Sequence, residues 1–479
     1  MIEIAVKYLE QVTEARLWTG DANRVCKGVV IDSREVGKDS LFVAFEGEHA
    51  DGNRFAPDAI RSGAAAVVLT HEPAHDLIKL ADQHQCSIFS CDDPQEFLLL
   101  LAQDYRARMG CTVVAITGSI GKTTTKDVLA ALLKTRYRVH ATAGNLNSLI
   151  GMPLTILAAP RDTEVMVLEM GMDAPGQIER LSRSAQPTYG IITKIGTSHV
   201  GLLGGREAIA KAKAEIVAGM PPSSERVEGH HSRLFLSGED DFTPFIIEHA
   251  ARPAGIDVHL FGLASDDDIS AAHIQLDVEG HPSFAITFPD GTSFKTTLSL
   301  TGRQAVLNAL AAAGVARELG IACSEIGTTF EQLSVTGRRQ EMRRARSGAR
   351  IIDDSYNASP ESMAAGLDLL AALSCEGMRV AILGEMGELG DEAARLHGLT
   401  GAYAAAIRPD LLICVGGEYA HAMAASARLM GMSAAAVVEV DSVEQLSARY
   451  TEAFESNDLL LVKASRFVGL DRFVEGACA

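Results

Sequence analysis

VVAITGSIGKTTTKDVLAAL, residues 113–132, decides the fold. A short apolar run reads as a buried strand, two glycines end it, and a helical pattern starts at once. Small residues at such a corner let backbone N–H groups face an anion, and the helix behind it presents its positive end. The strict phosphate-loop pattern G-x-x-x-x-G-K-[ST] needs glycine at position 116, where Ile116 stands. What is present is a shorter form, TGSIGKTT, with Gly118, Ser119, Gly121, Lys122, Thr123 and Thr124 as candidate phosphate-binding residues. Lys122 can neutralise β- and γ-phosphate charge, while the Thr123 hydroxyl suits Mg2+, a hard ion that takes oxygen ligands. The bland alternative is a glycine-rich turn with a solvated lysine.

Further along, EVMVLEMG reads as a strand that ends in Glu169, a carboxylate where a second metal contact is expected beside a phosphate loop. One strand later comes YGIITKIGTSHVGLLGGREAIAKAKAEI. Taken alone, His199 there reads as a packed or capping histidine, and Lys211 and Lys213 as solvated helix lysines.

Strand and helix alternate regularly around these segments, which predicts α/β architecture with a mostly parallel sheet covered by helices. Three domains are expected. Residues 1–93 hold short β-rich runs at 29–31, 41–45 and 65–69 with a helical patch at 55–62, a small α/β unit. Residues 94–334 form the central phosphate-loop unit, interrupted by a polar loop at 221–233 in which His230 and His231 read as solvated. Residues 335–479 form a Rossmann-like unit whose loops DDSYN, LGEMGELG, VGGE and KASR follow strands, where ligands collect in open sheets.

The 479 residues carry 43 Lys and Arg against 62 Asp and Glu, a net charge of −19. That balance disfavours nucleic acid and anionic lipid as partners, since both need a basic surface. No apolar stretch long enough for a membrane span occurs, and Glu3, Lys7 and Glu10 interrupt any signal-peptide core, so a cytoplasmic protein without membrane insertion is expected. The eight cysteines are scattered, with no CxxC pair, and read as idle thiols.

The segments TGSIGKTTTK, GNLNSLIGMPLTIL, LEMGM, GTSHVGLLGGREAIAKAKAEI, TGRQAVLNALAAAGVA, GRRQEMR, IDDSYNASPESM and LGEMGELGDEAARLHG follow one another as in the Mur ligases, which this chain resembles from about residue 27 to 471. IDDSYNASP and LGEMGELG are the most discriminating, and the Asn-Pro-Arg signature of the diaminopimelate- or lysine-adding branch is absent. The resemblance implies an ATP-dependent amide ligase that couples D-alanyl-D-alanine to UDP-N-acetylmuramoyl-tripeptide in peptidoglycan synthesis, acting as a monomer. It implies that Lys122 and Thr123 hold ATP phosphates and Mg2+, that Glu169 and His199 hold a second Mg2+, and that Lys213 matches a lysine carbamylated in several members. It assigns adenine contact to Asn308, further ATP contacts to Arg338 and Asp354, the uridine nucleotide to Ser33 and Arg34, and further substrate contacts to Asn145, Asn147, Tyr356 and Asn357. Ser148 and Leu149 stand where the family has an amide and an acid, and Asn53 where it has histidine.

Two rival readings stay open at this level: a sibling ligase with a different amine acceptor, and a nucleotide-binding relative without turnover. A mechanical phosphate-loop ATPase would need the full loop pattern and a DE pair at the strand tip, and neither is present. No GxSxG elbow or Cys-His pairing offers a protein nucleophile.

Overall fold

The computed structural model describes residues 2–47, 50–224, 231–333 and 337–478. His230 and the expected boundary between residues 334 and 335 lie outside them. The architecture is α/β throughout, built on three principal sheets.

The N-terminal sheet runs in the order Arg16–Thr19, Ser87–Ser90, Ala66–Leu69, Leu41–Val43, Val29–Val30, parallel except for its first pair. Three of its five strands and the helix Ala56–Arg61 occupy the runs that the hydrophobic pattern singles out; Arg16–Thr19 and Ser87–Ser90 go beyond it. The first 26 residues, to which the pattern assigns nothing, add a helix, Val6–Val12, and pair Glu3–Ala5 with Val25–Lys27. The Ile2 N–H donates to the Leu157 carbonyl at 2.8 Å, tying this end of the chain to the central unit.

The central sheet has nine strands in the order Ser293–Thr297, Pro282–Thr287, Ile269–Leu276, Asp257–Gly262, Arg233–Ser237, Tyr189–Ile192, Thr112–Thr117, Val165–Glu169, Val139–Ala141. The first two strands in that order pair antiparallel, and the other seven run parallel. Six of the nine, Val139–Ala141 and the five from Arg233 to Thr297, go beyond the sequence reading. Antiparallel strands with one wet face alternate apolar and polar residues and stand out less than the continuous apolar runs of a buried parallel sheet. Phe235, Phe261, Phe284 and Ile286 from these strands share a core with Val306, Leu310 and Ala313 of the helix Arg303–Glu318. Helix Cys323–Gln332 covers the outer strand: Gly327 faces the Phe294 ring, and the Ser299 N–H donates to the Phe330 carbonyl at 2.9 Å.

Register places three strand ends together. Glu169 pairs with Ile116, and Ile192 with Thr117, so the loops after Thr117, Glu169 and Ile192 emerge from one edge. That carboxyl edge is where an open α/β sheet receives its ligand.

The C-terminal sheet runs Glu341–Arg344, Arg350–Asp354, Leu459–Lys463, Arg379–Gly384, Leu411–Val415, Val437–Val440, parallel after an antiparallel first pair. Among the described residues no helix is long and apolar enough to cross a membrane. All eight cysteines are free thiols.

Candidate active site

Between the strand Thr112–Thr117 and the helix Lys122–Lys134, residues 118–121 form a loop that only glycine can make at two points. Gly118 has φ +145°, and a Cβ there would meet Thr193 Oγ1 at 1.9 Å; Gly121 has φ +85°, and its Cβ would meet Asn308 Oδ1 at 2.3 Å. Both conformations are ones that side chains disfavour, and both approaches exclude a methyl group. Asn308, buried on the helix Arg303–Glu318, therefore sits directly against the loop. The neighbouring segment fixes the rest. Ser119 N–H donates to the Lys194 carbonyl at 2.7 Å, its hydroxyl accepts the Gly196 N–H at 2.9 Å, and the Thr193 hydroxyl donates to the Ile120 carbonyl at 2.5 Å. Gly121 is the N-cap and no side chain caps this helix, whose first turn, Thr124 included, leaves N–H groups for an anion.

Lys122 Nζ donates to the Gly118 carbonyl at 2.7 Å. Burial pushes its pKa below the lysine range; the Glu169 and Glu388 carboxylates pull the other way and Arg339 adds to the depression. The Thr123 hydroxyl donates to Glu169 Oε2 at 2.9 Å, and Asn147 Nδ2 donates to Glu169 Oε1 at 2.8 Å. Glu169, only 2% exposed, thus links the phosphate loop to the GNLNS segment. Its backbone N–H donates to Thr142 Oγ1 at 3.0 Å, and the buried Lys126 ammonium holds the Thr142 carbonyl at 2.9 Å. Asn145 lies exposed on the same segment. The departures beside it have local uses: the Ser148 hydroxyl accepts the Gly151 N–H at 3.2 Å where the helix Gly151–Ala158 begins, and Leu149 is buried in the core.

His199, at φ +65°, precedes the short helix Val200–Leu203. Its Nδ1 lies 2.7 Å from Glu388 Oε2 of the C-terminal unit, ion-pair distance without hydrogen-bond alignment. Nearby, Glu361, in the helix Pro360–Ala372, accepts the Thr197 N–H at 2.7 Å on one oxygen and the Thr197 hydroxyl at 3.1 Å on the other. The C-terminal unit is therefore docked on the loop that carries His199.

Lys213 departs from the solvated lysine that the helix pattern suggests. Positions two apart do not share a helix face. Lys211 is exposed and pairs with Glu207, whereas Lys213 is 1% exposed on Arg206–Ala214. Among the described residues no hydrogen bond or ion pair reaches its ammonium. Burial, and then the Lys122 charge, push its pKa well below the lysine range.

The other candidates are more dispersed. Arg338 is engaged by Asp471 and Glu475 on the helix Leu470–Cys478. Its neighbour Arg339, unassigned from sequence, carries the charge felt at Lys122 and stacks 4.5 Å over the Tyr356 ring. Asp354 accepts from the buried Lys463 ammonium at 2.6 Å, and the same ammonium donates to the Asn357 carbonyl at 3.0 Å. Ser33 and Arg34 form a turn on the surface of the N-terminal unit, where Arg34 pairs with Asp32. Asn53 is structural: it exchanges hydrogen bonds with Thr70 and holds Asp51. Glu361, Glu388, Arg339 and Lys463 are the residues sequence reasoning missed. Only their position in quoted loop motifs could have pointed to them.

The Thr123 hydroxyl beside the Glu169 carboxylate is a pair of oxygen donors that fits Mg2+. Among the described residues no set of three or more His, Cys, Asp or Glu side chains is placed to hold a metal. Models of three Mur ligase domains match the chain: the family's catalytic domain at residues 25–106, the middle domain at 116–316 and the glutamate ligase domain at 338–466. A UDP-N-acetylmuramoyl-tripeptide–D-alanyl-D-alanine ligase of Bacillus subtilis is 34% identical over 476 residues, covering 99% of this chain and 98% of its own. The chain belongs to the Mur ligase family. Among solved structures, this Mur ligase superimposes on MurF from Acinetobacter baumannii with a TM-score of 0.87 at 26% identity, covering 99% and 98% of the two chains. It also matches a MurF ligase of Thermotoga maritima solved in complex with ADP, with a TM-score of 0.80 at 27% identity over 94% and 96%. Full-length likeness to these chains makes it a MurF-type Mur ligase.

Proposed function

We propose that the protein is an ATP-dependent ligase that joins D-alanyl-D-alanine to UDP-N-acetylmuramoyl-tripeptide, completing the pentapeptide precursor of peptidoglycan. The observation that carries this reading is the chain of contacts from Lys122 and Thr123 through Glu169 to Asn147, in a chain whose full-length relatives bear that ligase name. The tripeptide carboxylate takes the γ-phosphoryl group of ATP, giving an acyl phosphate and ADP. The dipeptide amine then attacks the acyl carbon, the C–N bond forms, and phosphate leaves with the former carboxylate oxygen.

Each residue role is part of the proposal. The N–H groups of residues 118–124, apart from that of Ser119, which the Lys194 carbonyl takes, and the Lys122 ammonium receive the phosphates, and Asn308 closes the pocket behind Gly121, towards adenine. Thr123, Glu169 and His199 would hold Mg2+, which supplies charge neutralisation between phosphate and carboxylate. Asn145 and Asn147 face the muramoyl peptide, and Ser33 and Arg34 the uridine nucleotide. Arg338, Asp354, Tyr356 and Asn357 belong to the closing C-terminal unit. Positioning and electrostatics carry the reaction, with no protein nucleophile.

Lys213 enters as a carbamate. Burial and the Lys122 charge push its pKa well down and so favour the free amine, whose lone pair attacks CO2; the C–N bond forms, the nitrogen loses a proton, and the buried side chain next to Lys122 becomes an anion. Intact-mass analysis of protein kept under CO2 reads this as one carboxyl adduct, absent from Lys213→Ala.

The deciding experiment is ATP-dependent phosphate release with UDP-muramoyl-tripeptide and D-Ala-D-Ala, single amino acids, or no amine. Release confined to the dipeptide is expected. Release with another amine reassigns the chain to a sibling activity, and no release supports a non-catalytic relative. The domain limits 1–93, 94–334 and 335–479, a cytoplasmic location and a monomer complete the proposal; sedimentation velocity checks the last.

A further inference from the structure

We propose that Glu388 is the residue that recognises the amino group of the incoming dipeptide. The inference rests on the ligase reading above and adds to it the recognition of the acceptor.

At neutral pH a dipeptide arrives with its amine protonated, and the Lys122 and Arg339 charges on this side of the site repel it. A carboxylate with unused capacity is needed to admit a cation. Two carboxylates raise the Lys122 pKa through their charge, Glu169 and Glu388. Both oxygens of Glu169 are taken, by Thr123 and Asn147, and both oxygens of Glu361 nearby are taken by Thr197. Among the described residues only Oε2 of Glu388 is engaged, by His199, and no hydrogen bond or ion pair reaches Oε1; the side chain is 59% exposed.

The loop that presents Glu388 is held in place from several directions. The Met386 N–H donates to His397 Nε2 at 2.8 Å, with the ring fixed through Nδ1 to the Ala393 carbonyl at 2.7 Å. The Gly387 N–H donates to the Ser465 hydroxyl at 2.9 Å, and the Gly201 N–H to the Glu388 carbonyl at 3.2 Å. Glu388 itself sits at φ +63°, a strained conformation for a side-chain-bearing residue that its surroundings over-determine. The His199 contact uses one carboxylate oxygen, and the held loop fixes where the other is presented.

The test compares the unaltered enzyme with Glu388→Gln and Glu388→Asp by phosphate release, with N-acetyl-D-alanyl-D-alanine as competitor. Expected for Glu388→Gln is a rise in KM for the dipeptide of about tenfold or more, as for loss of a charge-assisted bond, with ATP and tripeptide KM values within about twofold. Preference for the free over the acetylated dipeptide shrinks in parallel, because the variant no longer reads the charge. Glu388→Asp, which keeps the charge, falls between. An unchanged dipeptide KM in Glu388→Gln overturns the inference, as does an equal rise in the Mg2+ concentration needed for half-activity, which assigns Glu388 to metal instead. Absence of dipeptide-dependent turnover in the unaltered protein overturns the ligase reading and this inference with it.

Discussion

Among the described residues the Lys122 ammonium makes one hydrogen bond, to the Gly118 carbonyl, so its removal should leave the fold and take the chemistry. Lys122→Ala is expected to lower kcat/KM by about 10^3-fold, as for loss of a preorganised group facing developing charge, with an unaltered melting curve. Phosphate release by a folded variant at the normal rate would refute the assignment. Gly121→Ala should act differently, through the 2.3 Å approach to Asn308 and φ +85°: a stability loss of about 1–3 kcal/mol, measured by denaturant titration, together with a raised KM for ATP. Lys213 yields a pH prediction. An unfolded lysine keeps its proton up to about pH 10.4, whereas the folded one releases it well below. The unfolded state then binds more protons in that window, so stability rises with pH across it. In CO2-free buffer, Lys213→Met should therefore melt above the unaltered protein at pH 7.5, and the gap should close towards pH 10. A constant gap would count against the buried, uncompensated amine.

At the scale of elements, Glu385 is the clearest single support: its Oε1 accepts the N–H groups of Gly417, Tyr419 and Ala420 at the start of the helix Glu418–Leu429. Glu385→Ala should cost about 1–2 kcal/mol of stability, as for a lost cap, while the KM for ATP holds. The elements legible in the sequence were those with strong local signals: the strand, glycine corner and helix around Gly118 and Lys122, and the apolar parallel strands of the C-terminal unit. Less visible were the antiparallel strands from Ile269 to Thr297 and the edge strand Glu341–Arg344, in which polar residues interrupt the apolar ones. The site divides in the same way. Lys122 and Glu169 have positions fixed by their own strand ends, whereas the burial of Lys213, the stacking of Arg339 on Tyr356 and the reach of Glu361 and Glu388 to the His199 loop depend on how units far apart in sequence pack. Resemblance located those stretches, but packing alone showed which atoms meet.

Across the whole molecule, the Thr197–Glu361 bonds and the approach of Glu388 to His199 join the central and C-terminal units. Interfaces between domains of one chain are small enough for a few polar contacts to set their relative population. Glu361→Ala should enlarge the radius of gyration in small-angle scattering without ligands, and addition of an ATP analogue with both substrates should contract it again. Identical curves for variant and unaltered protein would remove Glu361 from the coupling. The nine-stranded sheet carries a different liability. Among the described residues its outer strand, Ser293–Thr297, pairs on one side only, and the helix Cys323–Gln332 lies across it. An uncovered ladder of that kind recruits strands from other chains. The cover over Phe294 is thus a guard against self-association, and a chain in which that helix cannot form should scatter light on warming before its active site has come apart.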